Sequence, residues 1–217
     1  GCPEYTTTAT VVVDACIEAT ADNTGDICSG DTFGLIGTAT RDTATFEWTD
    51  AAGVVVSTEQ NPVGLVAPSV PGDYVYTLIA TYDNIDSEAV TTTLTVLPIP
   101  TAVITNANAT ICTGNTVTIN LEGLANSTVV ISDGTSNFNV VLNATGVGSY
   151  TSGPINADTT FVIVNATSDS APSCEYTPIA GSTGSSVTIE VGVPDAAISA
   201  AAAPDVCSGS GTSIAVQ

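Results

Sequence analysis

The side chains of this 217-residue chain that could do chemistry are carboxylates, hydroxyls and six cysteines. The chain has 22 Asp and Glu residues, a single Lys or Arg and no His, which gives a formal net charge of −21. Without His, neither a Ser-His nor a Cys-His nucleophile pair can be built. A single Lys or Arg cannot form the basic patch that binds phosphate groups. We therefore expect neither nucleic acid nor an anionic membrane surface as a partner.

The six cysteines indicate the compartment. In an acidic, Thr-rich chain they indicate disulfides, because cytosolic thiols are kept reduced. We therefore expect an extracellular location at a cell surface. The sequence contains no run of about 18 apolar residues, so direct insertion into a membrane is not expected. Sequence alone does not choose among the pairings of six cysteines, and buried free thiols are the alternative.

An acidic stretch at 22–26, with Asp31 nearby, is a candidate calcium site. Asp22, Asp26 and Asp31 offer oxygen ligands beside Gly25, and oxygen is the donor that Ca²⁺ prefers. The spacing does not match an EF-hand loop, and a solvated acidic linker is the alternative. No other cofactor is expected. A glycosidase uses a pair of carboxylates as acid and base. Nothing in this sequence indicates such a pair in a cleft, so we do not expect an enzyme.

The strongest organisational signal is repetition. An Ile or Val followed by Cys, then Ser or Thr, then Gly occurs at 27–30, 111–114 and 206–209. The spacing of about 90 residues is too long for solenoid repeats of roughly 20 to 50 residues and is typical of a β-sandwich domain. We therefore expect whole domains at 14–98 and 99–193. Two partial domains flank them, with 1–13 as the C-terminal strand of a preceding domain and 194–217 as the start of a following one.

Period-two alternation of apolar residues predicts strands throughout both domains. Phe46 and Trp48 share one face of a strand, 50–53 is a hairpin turn, and alternate residues of 74–80 form one side of a long strand. In the second domain Asp133-Gly134 is a hairpin turn. No segment has a helical stripe. The predicted fold class is all-β, with tandem sandwiches of antiparallel strands in two packed sheets.

Some of these residues carry a resemblance to known families. The lone Trp48, followed by 72–74 where a tyrosine corner would lie, is similar to an immunoglobulin-like sandwich. The repeated Cys-Ser/Thr-Gly opening, the strand at 46–48, and 159–161 leading toward Cys174 resemble tandem Ig-like and PKD-like repeats. Such repeats occur in giant surface proteins of the Bacteroidota, where they serve as stalks, adhesins and spacers, often in substrates of type IX secretion.

The resemblance implies disulfides. In the second domain it makes Cys112 and Cys174 natural partners across the sandwich. The first domain departs from this pattern because it has no late cysteine at 83–89. A local bridge between Cys16 and Cys28 is the economical solution there. Cys2 and Cys207 are then expected to pair with cysteines outside this stretch.

Three sites resemble the Asp-Ser/Thr-small or apolar sites of Bacteroidota O-glycosylation. They are centred on Thr43, Thr159 and Ser170. Chance matches are the alternative, because the chain is rich in Thr.

The resemblance implies a structural role, as a stalk or filament shaft for adhesion or surface gliding. The expected partners are neighbouring repeats of the same protein, identical subunits of a filament, and surface glycans. The alternative is a carbohydrate-binding or spacer module attached to a secreted enzyme. A carbohydrate site would need exposed aromatic side chains, whereas Trp48, Tyr74 and Tyr76 are expected in the core.

Overall fold

A computed structural model describes residues 16–192 of the chain. The expected partial domains at 1–13 and 194–217, with Cys2 and Cys207, lie outside this range. The chain divides into two compact units between Val96 and Leu97. Strands and turns make up the regular structure of residues 16–192, which contain no helix.

The first domain begins with a short strand pair and continues into a larger sheet. Its strands are β1 (Ala19–Asn23), β2 (Ile27–Cys28), β3 (Thr32–Phe33), β4 (Leu35–Ala39), β5 (Thr45–Thr49), β6 (Val55–Ser57), β7 (Leu65–Val66), β8 (Gly72–Tyr82), β9 (Ile85–Asp86) and β10 (Val90–Leu97). One sheet has the order β2-β10-β8-β5-β6, with β9 also paired to β8. The pairs β1-β4 and β3-β7 form the remaining sheets.

The second domain repeats this plan. Its strands are β11 (Ala102–Ile104), β12 (Ala109–Cys112), β13 (Thr118–Gly123), β14 (Thr128–Ser132), β15 (Asn137–Val141), β16 (Val147–Thr151), β17 (Thr159–Thr167), β18 (Glu175–Tyr176) and β19 (Ser186–Gly192). One sheet has the order β12-β19-β17-β14-β15, with β18 also paired to β17. The other has the order β11-β13-β16.

The pairing of β12 in the second domain departs from the antiparallel prediction. β12 pairs with β19 in parallel, from Ala109 opposite Ile189 to Cys112 opposite Gly192. The reason is that the chain leaves β11 in the smaller sheet, crosses to the larger sheet and continues in the same direction. The segment 102–112 thereby supplies an edge strand to each of the two sheets, β11 to the smaller and β12 to the larger.

Trp48 forms the centre of the first core. Its side chain is fully buried, and its indole Nε1–H donates to the carbonyl oxygen of Gln60 at 3.3 Å. Large aromatic rings dominate the energetics of such a core. Tyr76 is also buried, which confirms that these two aromatic residues belong to the core. The buried core residues are Phe33, Leu35, Trp48, Ala67, Tyr76, Leu78, Leu94 and Val96.

Tyr74 makes the contact expected of a tyrosine corner. Its hydroxyl donates to the carbonyl oxygen of Val70 at 2.7 Å, four residues upstream, at the start of β8. This bond fastens the loop before the strand to the strand itself. The ring of Tyr74 is half-buried and packs against the core.

The second core is built without a tryptophan. Ile131, the fourth residue of β14, is fully buried at the place where Trp48 is the fourth residue of β5. Both sheets contribute to this core, with Ile119 and Leu121 from β13 facing Phe161 and others from the larger sheet. The predicted all-β, immunoglobulin-like sandwich is therefore confirmed for the described residues.

Candidate functional site

The repeated Cys-Ser/Thr-Gly segment forms the same turn in both domains. Cys28 ends β2 and Cys112 ends β12, and each of these strands lies beside the last strand of its domain. The N–H three residues later donates to the cysteine's carbonyl oxygen, at 3.1 Å after Cys28 and 3.2 Å after Cys112. Gly30 and Gly114 adopt φ values of 81° and 82°, where glycine alone carries no steric cost. The sequence repeat is therefore also a repeat of local structure.

Cys28 lies at the exit end of the first domain, which we define as the end where the chain leaves it. The turn after Cys28 brings the carbonyl oxygen of Asp31 to the N–H of Ala67, at 2.8 Å. The chain then runs a few residues to Gly72, which pairs with Val96 near the end of the last strand. Cys28 itself is buried.

Cys174 lies at the entrance end of the second domain, where the chain enters it. It is 1 % exposed, its N–H donates to Ser168 Oγ at 2.8 Å, and its carbonyl oxygen accepts from the Ser168 N–H at 2.9 Å. Ser168 directly follows β17, whose end pairs with the start of β14. The loop before β14 is held to the incoming chain, because Leu124 N–H donates to the Thr101 carbonyl oxygen at 3.1 Å.

The expected bridge between Cys16 and Cys28 is wrong. Cys16 is a free, exposed thiol, whereas Cys28, Cys112 and Cys174 are each disulfide-bonded. The physical reason is the path of the chain. Cys16 precedes β1, and β1 carries the chain roughly 17 Å toward the other end of the domain before Cys28 is reached.

The expected bridge between Cys112 and Cys174 is contradicted by strand register. Cys112 lies opposite Gly192 at the exit end of the second domain. From there, β19 and then β17 must be followed through the pair Ile189 and Thr159 to reach Ser168 and Cys174. That path of about twelve extended residues is on the order of 35 Å. A disulfide requires Cα atoms within about 7 Å.

The calcium candidates are not brought together. Asp22, Asp26 and Asp31 are all exposed, and residues 16–192 contain no group of three or more His, Cys, Asp or Glu side chains that could hold a metal ion. The loop is instead held by Asn23, which sequence reasoning missed. Its amide Nδ2 donates to Thr92 Oγ1 at 2.7 Å and to the Thr93 carbonyl oxygen at 2.9 Å, which fastens the end of β1 to β10.

The three candidate glycosylation sites differ in the exposure of their hydroxyls. Thr43 is exposed in the turn between β4 and β5. Thr159 is half-buried and its Oγ1 donates to the Ala157 carbonyl oxygen at 2.9 Å. The Ser170 hydroxyl donates to the Pro172 carbonyl oxygen at 3.0 Å. O-glycosylation stays a prediction, and Thr43 presents its hydroxyl most openly of the three.

Sequence reasoning also missed an aromatic pocket in the second domain. The rings of Phe138 and Tyr150 stack with centroids 4.3 Å apart, and the Phe161 ring lies 6.1 Å from that of Tyr150. They line an open pocket of about 370 Å³. Phe138 lies on β15 and Tyr150 on β16, two successive strands that belong to different sheets, so no local pattern of the sequence brings the two rings together. The main lining residues are Asp133, Phe138, Tyr150, Asn156, Thr159 and Phe161.

Asp133 gives this pocket a negative rim. Its Oδ1 accepts from the hydroxyl and the N–H of Thr135 and from the N–H of Ser136, at 2.7–2.8 Å. These hydrogen bonds, with that from the Thr135 hydroxyl foremost, lower the pKa of Asp133. Burial, and then the charge of Asp133, raise the pKa of Tyr150. The phenol is therefore neutral at pH 7, and the rim presents a hydroxyl beside a carboxylate.

Comparisons with known proteins concern the fold alone. No protein-family model and no curated protein matches this chain. An I-band fragment of titin is similar over 82 % of this chain, with 13 % identity and a TM-score of 0.47, and the match covers 65 % of that fragment. The fibronectin(III)-like modules of Clostridium thermocellum CbhA match over 80 % of this chain and 94 % of theirs, with 14 % identity and a TM-score of 0.36. A marsupial T cell receptor matches over 83 % of this chain and 75 % of its own, with 10 % identity and a TM-score of 0.46. Among residues 16–192, no helix is long and apolar enough to cross a membrane.

Proposed function

We propose that this chain is a structural repeat segment of an extracellular surface protein or filament, serving as a stalk or shaft for adhesion or surface gliding. One observation carries the proposal: two consecutive domains share a strand plan and place the same Cys-Ser/Thr-Gly turn beside the last strand. A chain that repeats one self-contained domain gains length with each copy. The Bacteroidota origin and type IX export belong to this proposal.

Composition supports the same role. Disulfides at Cys28, Cys112 and Cys174 fit an oxidising compartment. A net charge of −21 makes neighbouring molecules repel each other, which keeps a long exposed protein soluble and separate. In this role the partners are neighbouring repeats and identical subunits, and no cofactor is required.

Surface labelling of intact cells tests this role. Antibodies against the 217-residue chain are applied to unbroken cells of the source organism and visualised by immunogold electron microscopy. We expect gold along extended structures outside the cell, and loss of adhesion or gliding when the gene segment is deleted. Gold that appears only after cells are broken open would overturn the extracellular placement.

The aromatic pocket favours a second candidate function, the binding of neutral carbohydrate. Sugar rings present apolar C–H faces that pack on aromatic rings, and their hydroxyls need acceptors and donors such as Asp133, Asn156 and the Tyr150 hydroxyl. The carboxylate and the overall negative charge disfavour anionic sugars. This pocket supplies the aromatic platform that the sequence alone did not identify.

Binding of neutral oligosaccharides to the full chain tests this second candidate. A glycan array identifies a ligand, and calorimetry compares the wild type with Tyr150→Leu and Asp133→Asn. We expect each substitution to weaken binding at least tenfold. The matched control Tyr82→Leu changes a half-buried tyrosine of the first domain and should leave binding unchanged. An array without any neutral glycan bound contradicts this candidate and leaves the structural role standing.

A further inference from the structure

We propose that β15, the edge strand of the larger sheet in the second domain, pairs with β15 of a second copy of this chain. The two strands lie antiparallel about a two-fold axis and join two sheets into one continuous sheet. The proposal rests on the structural role above for its purpose, the side-by-side joining of identical subunits. Its test measures association itself, so a negative result leaves that role standing.

The hydrogen bonds at the two ends of β15 show which of its backbone groups face β14. Among residues 16–192, β15 pairs with β14 alone, so its other side has no strand beside it. The Leu142 N–H donates to the Ser127 carbonyl oxygen at 2.8 Å, and the Ser136 carbonyl oxygen accepts from the Asp133 N–H at 3.3 Å. Alternate residues of an antiparallel pair exchange such bonds. The even-numbered residues of this segment therefore turn their backbone groups toward β14.

The odd-numbered residues turn their backbone groups outward. They are Asn137, Asn139 and Val141, whose side chains are exposed, that of Val141 to 68 %. This set is symmetric about Asn139. An antiparallel pair centred there places Asn137 opposite Val141 of the second copy, and Asn139 opposite itself. Each outward N–H and C=O then has a partner, which is the pattern of a hydrogen-bonded antiparallel pair.

The edge carries no charge, although the chain has a net charge of −21. Residues 134–157, which include β15 and β16, contain no Asp, Glu, Lys or Arg. Two copies repel each other wherever their carboxylates meet, so a neutral edge is where they can approach most closely. A neutral edge attracts no cationic partner in particular. The matching neutral edge of a second copy is self-complementary in its hydrogen bonds and is present at equal concentration.

The nearest charge along the chain does not oppose this arrangement. Asp133 is the only charged residue in the sequence 123–157, and it lies in the turn that precedes β15. A two-fold axis at Asn139 places the two copies of Asp133 at opposite ends of the joined strands, on the order of 25 Å apart. That separation exceeds the Debye length of about 8 Å in physiological salt, so the two carboxylates repel each other only weakly.

The first domain protects the corresponding edge of its larger sheet. Its edge strand β6 has three residues, and its pairing with β5 is irregular. Glu59 follows two residues after β6, and its N–H donates to Ser57 Oγ at 3.1 Å. Short strands, bulges and charges are features that keep a sheet edge from pairing with another chain. β15 has five residues in regular register with β14, so of these two edges it is the one open to a second copy.

Sedimentation equilibrium of the 217-residue chain tests the proposal. We expect the average mass to rise from monomer toward dimer with concentration, and the association to strengthen as added salt screens the net charge. Asn139→Asp places two carboxylates opposite each other at the axis and should weaken the dimer at least tenfold. Asn120→Asp is the matched control, because this exposed asparagine lies on β13, which has a strand on both sides. A monomer at every concentration, or an equally strong dimer of Asn139→Asp, overturns the proposal.

Hydrogen exchange of the wild type locates the interface and needs no variant to fold. The amides of Asn137, Asn139 and Val141 should exchange slowly where the dimer forms and rapidly after dilution. The amides of Val140 and Leu142, which face β14, should stay protected at both concentrations. Rapid exchange of the three outward amides in the dimer would place the interface elsewhere. Protection that dilution does not change would show that the same chain covers this edge, and either result overturns the proposal.

Discussion

Gly37 lies against the indole ring of Trp48. A Cβ atom at residue 37 would lie 3.2 Å from Cζ2 of that ring, and 2.9 Å from both the carbonyl oxygen of Gln60 and Cδ2 of Leu78. The same carbonyl oxygen accepts the indole N–H. The absence of a side chain at Gly37 in β4 is thus what leaves room for the Trp48 ring in the first core.

Gly37→Ala is therefore expected to destabilise the first domain. The added methyl group must displace backbone as well as side-chain atoms, and overpacking of this kind costs about 1–3 kcal/mol. Urea unfolding followed by Trp48 fluorescence measures the change. Gly153→Ala is the control, since a Cβ there meets no atom within 4 Å, and calorimetry should show no change in either domain. Equal stability of wild type and Gly37→Ala would contradict the packing described.

Tyr74→Phe is expected to weaken the first domain by about 1 kcal/mol, the typical net value of one hydrogen bond. The substitution removes the bond from the Tyr74 hydroxyl to the Val70 carbonyl oxygen and keeps the ring. The fluorescence-detected unfolding midpoint should fall. Tyr82→Phe is the control, because it removes a hydroxyl and leaves the ring that lies 5.6 Å from the Arg41 guanidinium. A midpoint unaffected by Tyr74→Phe would mean that this corner contributes nothing to stability.

Asp133 is expected to make the second domain sensitive to acid. Its folded-state pKa is lowered by hydrogen bonds, so its contribution is fully present above the unfolded pKa of about 3.9 and is lost as pH falls through the folded pKa. Calorimetry between about pH 6 and pH 2 should show a smaller loss of stability in Asp133→Asn than in wild type. Asp169→Asn, another exposed carboxylate of this domain, is the control. Parallel pH profiles for all three proteins would refute the prediction.

Cys16 is expected to react with a maleimide in the native, oxidised chain because it is free and exposed. After digestion with a protease that cleaves after glutamate, mass spectrometry should find the label on peptide 5–18, which contains Cys16. Peptides that carry Cys28, Cys112 or Cys174 should take up the label only after reduction, since these residues are disulfide-bonded. Cys16→Ser supplies the control. An unlabelled peptide 5–18 in the native protein would show that this thiol is protected.

The β architecture could be predicted from the sequence because alternation and turn chemistry act locally. Residues 74–80 alternate as a strand with one buried side, and Asp50 and Gly53 close the turn between β5 and β6, as expected. The same local rules predicted the turn at Asp133.

The cysteine pairing could not be predicted in this way, because it depends on which end of a domain a residue reaches. Cys112 and Cys174 both lie in the second domain, yet the register of β17 and β19 separates them by the length of the sandwich. The aromatic pocket was missed for a related reason. Phe138 and Tyr150 come together only through the pairing of strands in two different sheets.

The parallel pairing of β12 with β19 determines how the second domain would respond to a pulling force. β12 is the second strand of the domain in chain order, and β19 is the last. Because the two are parallel, both run toward the exit end. Tension applied along the chain would draw the two strands past each other lengthwise. All hydrogen bonds between them would then be loaded in shear at the same time, rather than broken one after another as in peeling, so the domain should rupture abruptly and at high force.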